Sequence, residues 1–344
     1  MTTSEREITQ PVALCLETGV ELNPDARGWS RVPLHIDNLG PFHNRNKRWD
    51  YWAVLSRDFT LSSVFADIDV LGLADVYWAD FVSGQSGGQS IVVASDENFS
   101  LPARVGGHPL TVSHDGFSLS IHDDDQATWF HISWREADGR DGELSMRVDH
   151  PAGHQSLNVV IPWSDEIFNF TSKQQARPAH GFRRVGDEVW RFGDDTGVEA
   201  WGVLDVGRGR WPERITWNWG GGAGRAGDHI IGLQFGAKWT EGSGFTENAL
   251  VVDGVVHKIG RELELSYDWN APMEPWTVRD PGGQLELTLH PRFDKYTHTD
   301  ISEDLGSEVH QVFGRMSGTL TTDDGETISF TDVVGFIEEA RQRW

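Results

Sequence analysis

The stretch TWFHISWREADGRDGELSMRV, residues 128–148, holds two alternating segments around a pair of Asp-Gly steps. In the first segment Phe130, Ile132 and Trp134 share one parity, with His131 and Ser133 on the other. In the second, Leu144, Met146 and Val148 alternate with Glu143, Ser145 and Arg147. A two-residue repeat puts every second side chain on the same side of a strand, so one face is apolar and the other polar. Asp-Gly supplies the positive φ that tight hairpin turns need. The stretch reads as strands joined by turns, and it sets the pattern for the whole chain.

The alternation returns in YWAVLS (51–56), SIVVAS (90–95), FSLSIH (117–122), HIIGLQF (229–235), QLELTL (284–289) and TISFTDVVGF (327–336). Further Asp-Gly steps lie at Asp115-Gly116, Asp253-Gly254 and Asp324-Gly325. No segment sustains the spacing of an amphipathic helix over three turns. A short helix is expected only in DVVGFIEEARQRW (332–344). GGGAGRAG (220–227) lacks the Lys-Ser/Thr ending of a phosphate loop, so it reads as a β-turn or pocket lid. A polar stretch between residues 150 and 182 divides the chain into expected domains of 1–172 and 173–344. Each half is long enough for a closed antiparallel barrel, which hides strand edges and encloses a ligand.

Composition narrows the function classes. The 53 Asp and Glu residues against 29 Lys and Arg give a formal net charge of −24, which repels nucleic-acid phosphates and anionic membrane surfaces. No run of apolar residues is long enough to span a membrane. The opening MTTSEREITQPVALC lacks a basic segment leading into an apolar run, so no secretory signal is expected. The single Cys15 offers neither a disulfide nor a thiolate cluster. The expectation is a soluble, cytoplasmic protein without a nucleic-acid partner or stable membrane insertion. His35, Asp37 and His43 match no metal-ligand spacing, and no Gly-x-Ser-x-Gly elbow occurs. Neither a metal nor another cofactor is expected, and nothing fixes an oligomeric state. The outliers are 16 Trp and 38 Gly residues. So many indoles point either to a thick β-core or to aromatic surfaces for a flat or greasy ligand.

The ordered motifs KRWDYWAVLSRDFTLSSVFADIDVLG (47–72), VVIPWSDEIFNFTSK (159–173), LDVGRGRWPERITWNWGGGAG (204–224), TENALVVDGVVHKIG (246–260) and HQVFGRMSGTLTTDDG (310–325) resemble an uncharacterised bacterial family. That family is known only as a domain of unknown function and is grouped with the calycins. The resemblance covers nearly the whole chain. It implies an all-β protein of two tandem lipocalin-like antiparallel β-barrels, more distantly similar to carotenoid hydratases and lipocalin-like pericyclases. Such relatives bind long apolar substrates between or inside their barrels and act on carbon–carbon double bonds. The resemblance also places AWGVLDVGRG (200–209) where those relatives open their second barrel with a Trp-x-Asp-like motif.

The candidate site residues follow from these stretches. Asp205 ends the apolar run Trp201–Leu204, at a barrel rim or domain seam. A carboxyl in a partly apolar pocket favours its protonated form and is a proton donor to an alkene. The alternative is a structural ion pair with Arg208 or Arg210. Trp217 and Trp219 are two residues apart and share a face, which with Trp211 makes either a cation-stabilising wall or core filling. Glu247 and Asn248 are candidates for orienting a water, as base and amide, or for bonding local turn backbone. Trp49 belongs to a cation–aromatic cluster with Lys47, Arg48 and Trp52 that suits a domain interface or an anionic ligand group. In the catalytic reading Asp205 donates the proton and Glu247 is the base, while Trp49, Arg208, Trp211, Trp217, Trp219 and Asn248 bind the substrate.

Two functions remain open on these residues. One is a cofactor-independent hydratase, isomerase or cyclase acting on a hydrophobic small molecule of isoprenoid or polyketide type. The other is a non-catalytic carrier or sensor of a hydrophobic ligand, which needs the cavity but no proton transfer. A sugar-binding groove is a third, resting on Trp and acid content alone.

Overall fold

A computed structural model describes residues 5–43, 45–94, 99–107, 109–193, 196–303 and 305–343. Among the described residues the strands form sheets of two, thirteen and nine strands. Helical structure among them is confined to short 3-10 turns such as Pro24–Ala26, and no helix of the described residues is long and apolar enough to cross a membrane. The two large sheets each curl into a barrel-like antiparallel fold, in tandem along the chain.

The hydrogen-bonded path of the first sheet runs through Ser86–Ala94, Leu71–Asp80, Phe59–Asp67, Asn46–Ser56, Ala200–Arg210, Phe168–Val185, Asp141–Asp149, Ala127–Arg135, Phe117–Asp123 and Leu110–His114. Its curl brings the far ends together, where Gly88 N–H donates to Glu136 Oε2 at 3.1 Å. The second sheet runs through Val255–Lys258, Ala249–Val252, His229–Ala237, Arg214–Ala226, Thr327–Arg343, Leu305–Thr321, Leu285–Ser302, Trp276–Arg279 and Glu264–Ser266. The chain passes from the first sheet to the second between Arg210 and Arg214. Residue 172, where the sequence reading divides the chain, lies within the Phe168–Val185 strand of the first sheet.

Parity explains how the sheets pack. On the fully buried strand Ala200–Arg210, Leu204 and Val206 enter the core of the first barrel, while Val203 packs with Trp219, Phe313 and Phe336 of the second sheet. On Asn46–Ser56, Trp52 and Val54 likewise face inward, whereas Ala53 and Leu55 face the second sheet. The second barrel has its own core, built from Ile231, Leu233 and Phe235 and from Leu285, Leu287 and Leu289. Two strands apolar on both faces thus sit at the seam, as a sheet covered on both sides requires.

Three local expectations change. Asp115-Gly116 and Asp253-Gly254 do take positive φ at both residues, as a tight hairpin turn needs. Asp141-Gly142 does not turn; it begins the Asp141–Asp149 strand, where Gly142 is paired with Trp134 and a methyl on it would lie 2.0 Å from that ring. The GGGAGRAG stretch is neither turn nor lid but runs as strand through Ala226, and only Gly227 takes positive φ. Its glycines make room for neighbours, since a methyl on Gly220 would strike the Phe235 ring and one on Gly221 the Gln175 amide. The expected C-terminal helix is instead the Thr327–Arg343 strand, paired on both sides, so tertiary pairing overrides the helix-forming residues near Glu338.

Candidate active site

A cavity of about 250 Å³ lies at the seam. In the first sheet Val64, Tyr51, Asp205 and Lys173 are successive cross-strand partners, one rung on one face. In the second, Trp219, Glu338 and Gln311 form the matching rung. The rungs face each other: the Tyr51 hydroxyl lies 3.4 Å from Gln311 Oε1, and Lys173 Nζ sits 4.5 Å from the Trp219 ring centre. Trp49, Trp211, Trp217 and Trp239 complete the wall with Trp219, and Glu247 enters from just before the Ala249–Val252 strand.

Lys173 is the electrostatic centre. Its ammonium lies 2.7 Å from Asp205 Oδ1 and 3.1 Å from Glu247 Oε2, and all three side chains are buried. Burial opposes the ammonium, but the charges of Asp205 and Glu247 outweigh it and hold the Lys173 pKa above its ordinary value. Asp205 also accepts from Thr171 Oγ1 at 3.0 Å and from Trp49 Nε1 at 3.2 Å, so both its oxygens are engaged as acceptors. Glu247 accepts from Trp239 Nε1 at 2.5 Å. Burial raises the Glu247 carboxyl, with the Lys173 charge opposing and that of Asp205 adding.

Glu338 is the second titratable centre. Oε1 accepts from Trp217 Nε1 at 2.8 Å and Oε2 from Gln311 Nε2 at 2.9 Å. Burial pushes its carboxyl up to about 7; the Trp217 N–H and the Lys173 charge oppose this, and the Asp205 charge adds to it. A carboxyl that titrates there is protonated or ionised in comparable amounts at neutral pH, as acid–base chemistry requires.

Of the residues singled out in the sequence, Asp205, Glu247, Trp49, Trp211, Trp217 and Trp219 all line this cavity. Arg208 and Asn248 do not. Arg208 has the opposite parity to Asp205, and its guanidinium is 2.7 Å from Asp50 Oδ1 and 2.7 Å from the Trp49 carbonyl. Asp205 therefore pairs with Lys173 and neither Arg208 nor Arg210. Asn248 points away from Glu247, accepting from Gly236 N–H and donating to the Arg261 carbonyl, each at 2.8 Å. Trp49 and Trp52 diverge, one to the cavity and one to the first core, while Arg48 pairs with Asp37 at 2.7 Å.

The sequence reading did not find Lys173, Glu338, Trp239, Gln311, Tyr51, Thr171 or Asn169. A signal existed for three of them: in FNFTSK, Asn169, Thr171 and Lys173 alternate with Phe168 and Phe170, which marks a strand with a polar buried face. Glu338 was hidden by the helical reading of its segment.

Two glycines hold the geometry open. A methyl on Gly236 would lie 1.8 Å from Glu247 Oε1, and one on Gly207, the cross-strand partner of Trp49, would lie 2.1 Å from the Trp49 ring. Gly207→Ala is expected to push that indole off Asp205 and to destabilise the protein by about 1–3 kcal/mol. Denaturant unfolding measures this, and wild-type stability would mean that the ring moves aside without loss.

Residues 5–344 match the family described as a domain of unknown function (DUF2804). No curated protein matches the chain in sequence. Among solved structures, the chain is similar to CghA bound to Sch210972, at 13% identity over 96% of each chain with a TM-score of 0.50. Kievitone hydratase from Nectria haematococca is similar at 11% identity, over 86% of this chain and 89% of that one, with a TM-score of 0.46. At 13% identity the likeness to CghA concerns the fold alone.

Proposed function

We propose that this chain, which belongs to the DUF2804 family, is a cofactor-independent enzyme that protonates a carbon–carbon double bond of an apolar molecule, leading to hydration, isomerisation or cyclisation. The observation that carries this reading is a buried carboxyl with a pKa of about 7 opposite a lysine-bridged carboxylate pair, all within one tryptophan-walled cavity. The donor role expected of Asp205 is assigned here to Glu338, because Asp205 is bound to the Lys173 ammonium at 2.7 Å, whereas burial pushes the Glu338 carboxyl up to about 7. Protonated Glu338 gives its proton to one alkene carbon and is left as a carboxylate. The cation on the other carbon is stabilised by the indole faces, each worth about 1–2 kcal/mol when dry. Glu247 then takes a proton, from an attacking water in hydration or from a neighbouring carbon in isomerisation. Exchange with solvent returns a proton to Glu338 and removes the one on Glu247. Asp205 holds Lys173, which in turn orients Glu247.

Trp211, Trp219 and Trp239 are buried in the cavity wall and Trp49 and Trp217 half-buried, where a sugar would call for an exposed groove of indoles. A carrier would use the same wall without the titratable groups. The test is incubation of the protein with an isoprenoid-rich lipid extract in D2O, read by mass spectrometry. An enzyme leaves carbon-bound deuterium in a product, and the Glu338→Gln protein leaves none. The same unaltered molecule copurifying with both proteins would establish the carrier.

The same proton governs stability. Folded Glu338 keeps it up to about pH 7, whereas the unfolded chain releases it near the ordinary value of 4.5. Between these values the folded state binds more protons. The contribution of this group is therefore complete below about pH 4.5 and is lost as pH rises through 7. The loss is on the order of 3 kcal/mol. Glu338→Gln is expected to remove this part of the pH–stability curve. Identical pH dependence in the two proteins would show that folding leaves the Glu338 carboxyl at its ordinary value.

A further inference from the structure

We propose that Asn169 and the indole N–H of Trp211 form a docking point for one neutral oxygen, a ketone, enol or alcohol, on the apolar molecule that the cavity takes. This deepens the reading above and rests on it. Asn169 is completely buried and lines the cavity, yet neither its Nδ2 nor its Oδ1 has a hydrogen-bond partner. Trp211, also buried and at the cavity wall, has an unpartnered Nε1. Folded proteins pair nearly all buried polar groups, so two orphaned groups at one void point to a partner that occupies it.

Asn169 lies on the Phe168–Val185 strand and Trp211 just past the end of the Ala200–Arg210 strand, and both line the cavity. Asn169 is the cross-strand partner of Gly209, and Trp211 follows Gly209 by two residues. A methyl on Gly209 would lie 2.1 Å from the Phe168 carbonyl oxygen and 3.0 Å from Asn169 Oδ1, so glycine is required by the neighbouring strand. Elsewhere in the cavity the polar groups are spoken for: Lys173 by Asp205 and Glu247, and Glu338 by Trp217 and Gln311.

The chemistry selects the class of group. The cavity wall thus offers the N–H groups of Asn169 and Trp211 and the Asn169 amide oxygen, which suit an oxygen that accepts, or one that accepts and donates. An anionic group is disfavoured, since Lys173, the one cation lining the cavity among the described residues, is already bridged by two carboxyls and Glu338 adds a third. Asn169 lies four residues from Lys173 on an extended strand, roughly 13 Å along the chain. The oxygen is thus held at one end while the double bond lies near the charged rung. The substrate class is an oxygenated terpenoid- or polyketide-like molecule whose oxygen is remote from the reacting bond.

The test compares 2-decalone with decalin, a bicyclic ketone and its parent hydrocarbon, titrated against the full chain by tryptophan fluorescence. Asn169→Leu is expected to weaken decalone binding about tenfold and to leave decalin binding unchanged or tighter. Trp211→Phe, which removes the N–H and keeps an aromatic ring, is expected to weaken decalone selectively as well, and it serves if Asn169→Leu does not fold. Equal changes for both ligands, or no change for either, would overturn the docking point and leave the acid–base reading standing. Failure of wild type to bind either ligand would overturn both.

Discussion

Glu338→Gln is expected to lower turnover about 10²–10⁴-fold while ligand affinity stays within about twofold. The amide keeps the shape of the side chain and can still accept from Trp217 Nε1, 2.8 Å from Glu338 Oε1, while its NH2 requires the Gln311 amide, whose Nε2 donates to Glu338 Oε2, to turn its oxygen inward. What it lacks is a transferable proton. Binding depends on the indole wall and on exclusion of water, neither of which the substitution touches, so the loss should fall on kcat and not on the dissociation constant. Deuterium incorporation from D2O into the product measures it. Retained turnover in Glu338→Gln, with turnover abolished in Asp205→Asn, would return the donor role to Asp205.

Lys173→Met is expected to cost about 3–5 kcal/mol of stability, the largest loss at any single position of the cavity. The lysine is the shared cation of Asp205 and Glu247, at 2.7 and 3.1 Å, and all three side chains are buried. Removing it leaves two carboxylates facing one another without a counter-charge. The cost should shrink as pH falls, because burial raises the Glu247 carboxyl, and it should be largely recovered when Asp205→Asn and Glu247→Gln are added. Unfolding by denaturant at two pH values reads all of this. A Lys173→Met protein as stable as wild type at neutral pH would mean that the bridge contributes nothing and that one carboxyl is already neutral.

The sheets were legible because strand parity is a local property. Alternation in the sequence is enough to assign faces, and the Asp115-Gly116 and Asp253-Gly254 turns follow from the φ values those residues accept. The candidate site was legible where unusual residues clustered in sequence, as Asp205, Trp217 and Trp219 do in one stretch. It was not legible where a strand borrowed residues from a distant one. Lys173 meets Asp205 through cross-strand register, and Glu338 reaches Trp219 and Gln311 the same way. The Glu338-Glu339 pair resembles a helix surface in sequence. In the structure it is a strand with one carboxyl on each face, Glu338 toward the cavity and Glu339 toward Lys238. The glycines of residues 220–222 and 224 misled for a related reason. A run of glycine reads as a turn, but here it lets strands carry large side chains from their neighbours, and that need is visible only once the neighbours are known.

The acid–base reading depends on Glu338 carrying a proton near neutral pH, and infrared titration reads that without any knowledge of the substrate. The carbonyl stretch of a protonated carboxyl is followed from pH 5 to 9 in wild type and in Glu338→Gln, and the difference isolates this one group. The expected result is a band that disappears with a midpoint close to 7 and is missing from the variant. A Glu338 already ionised at pH 5, with no such band in the difference, would contradict it.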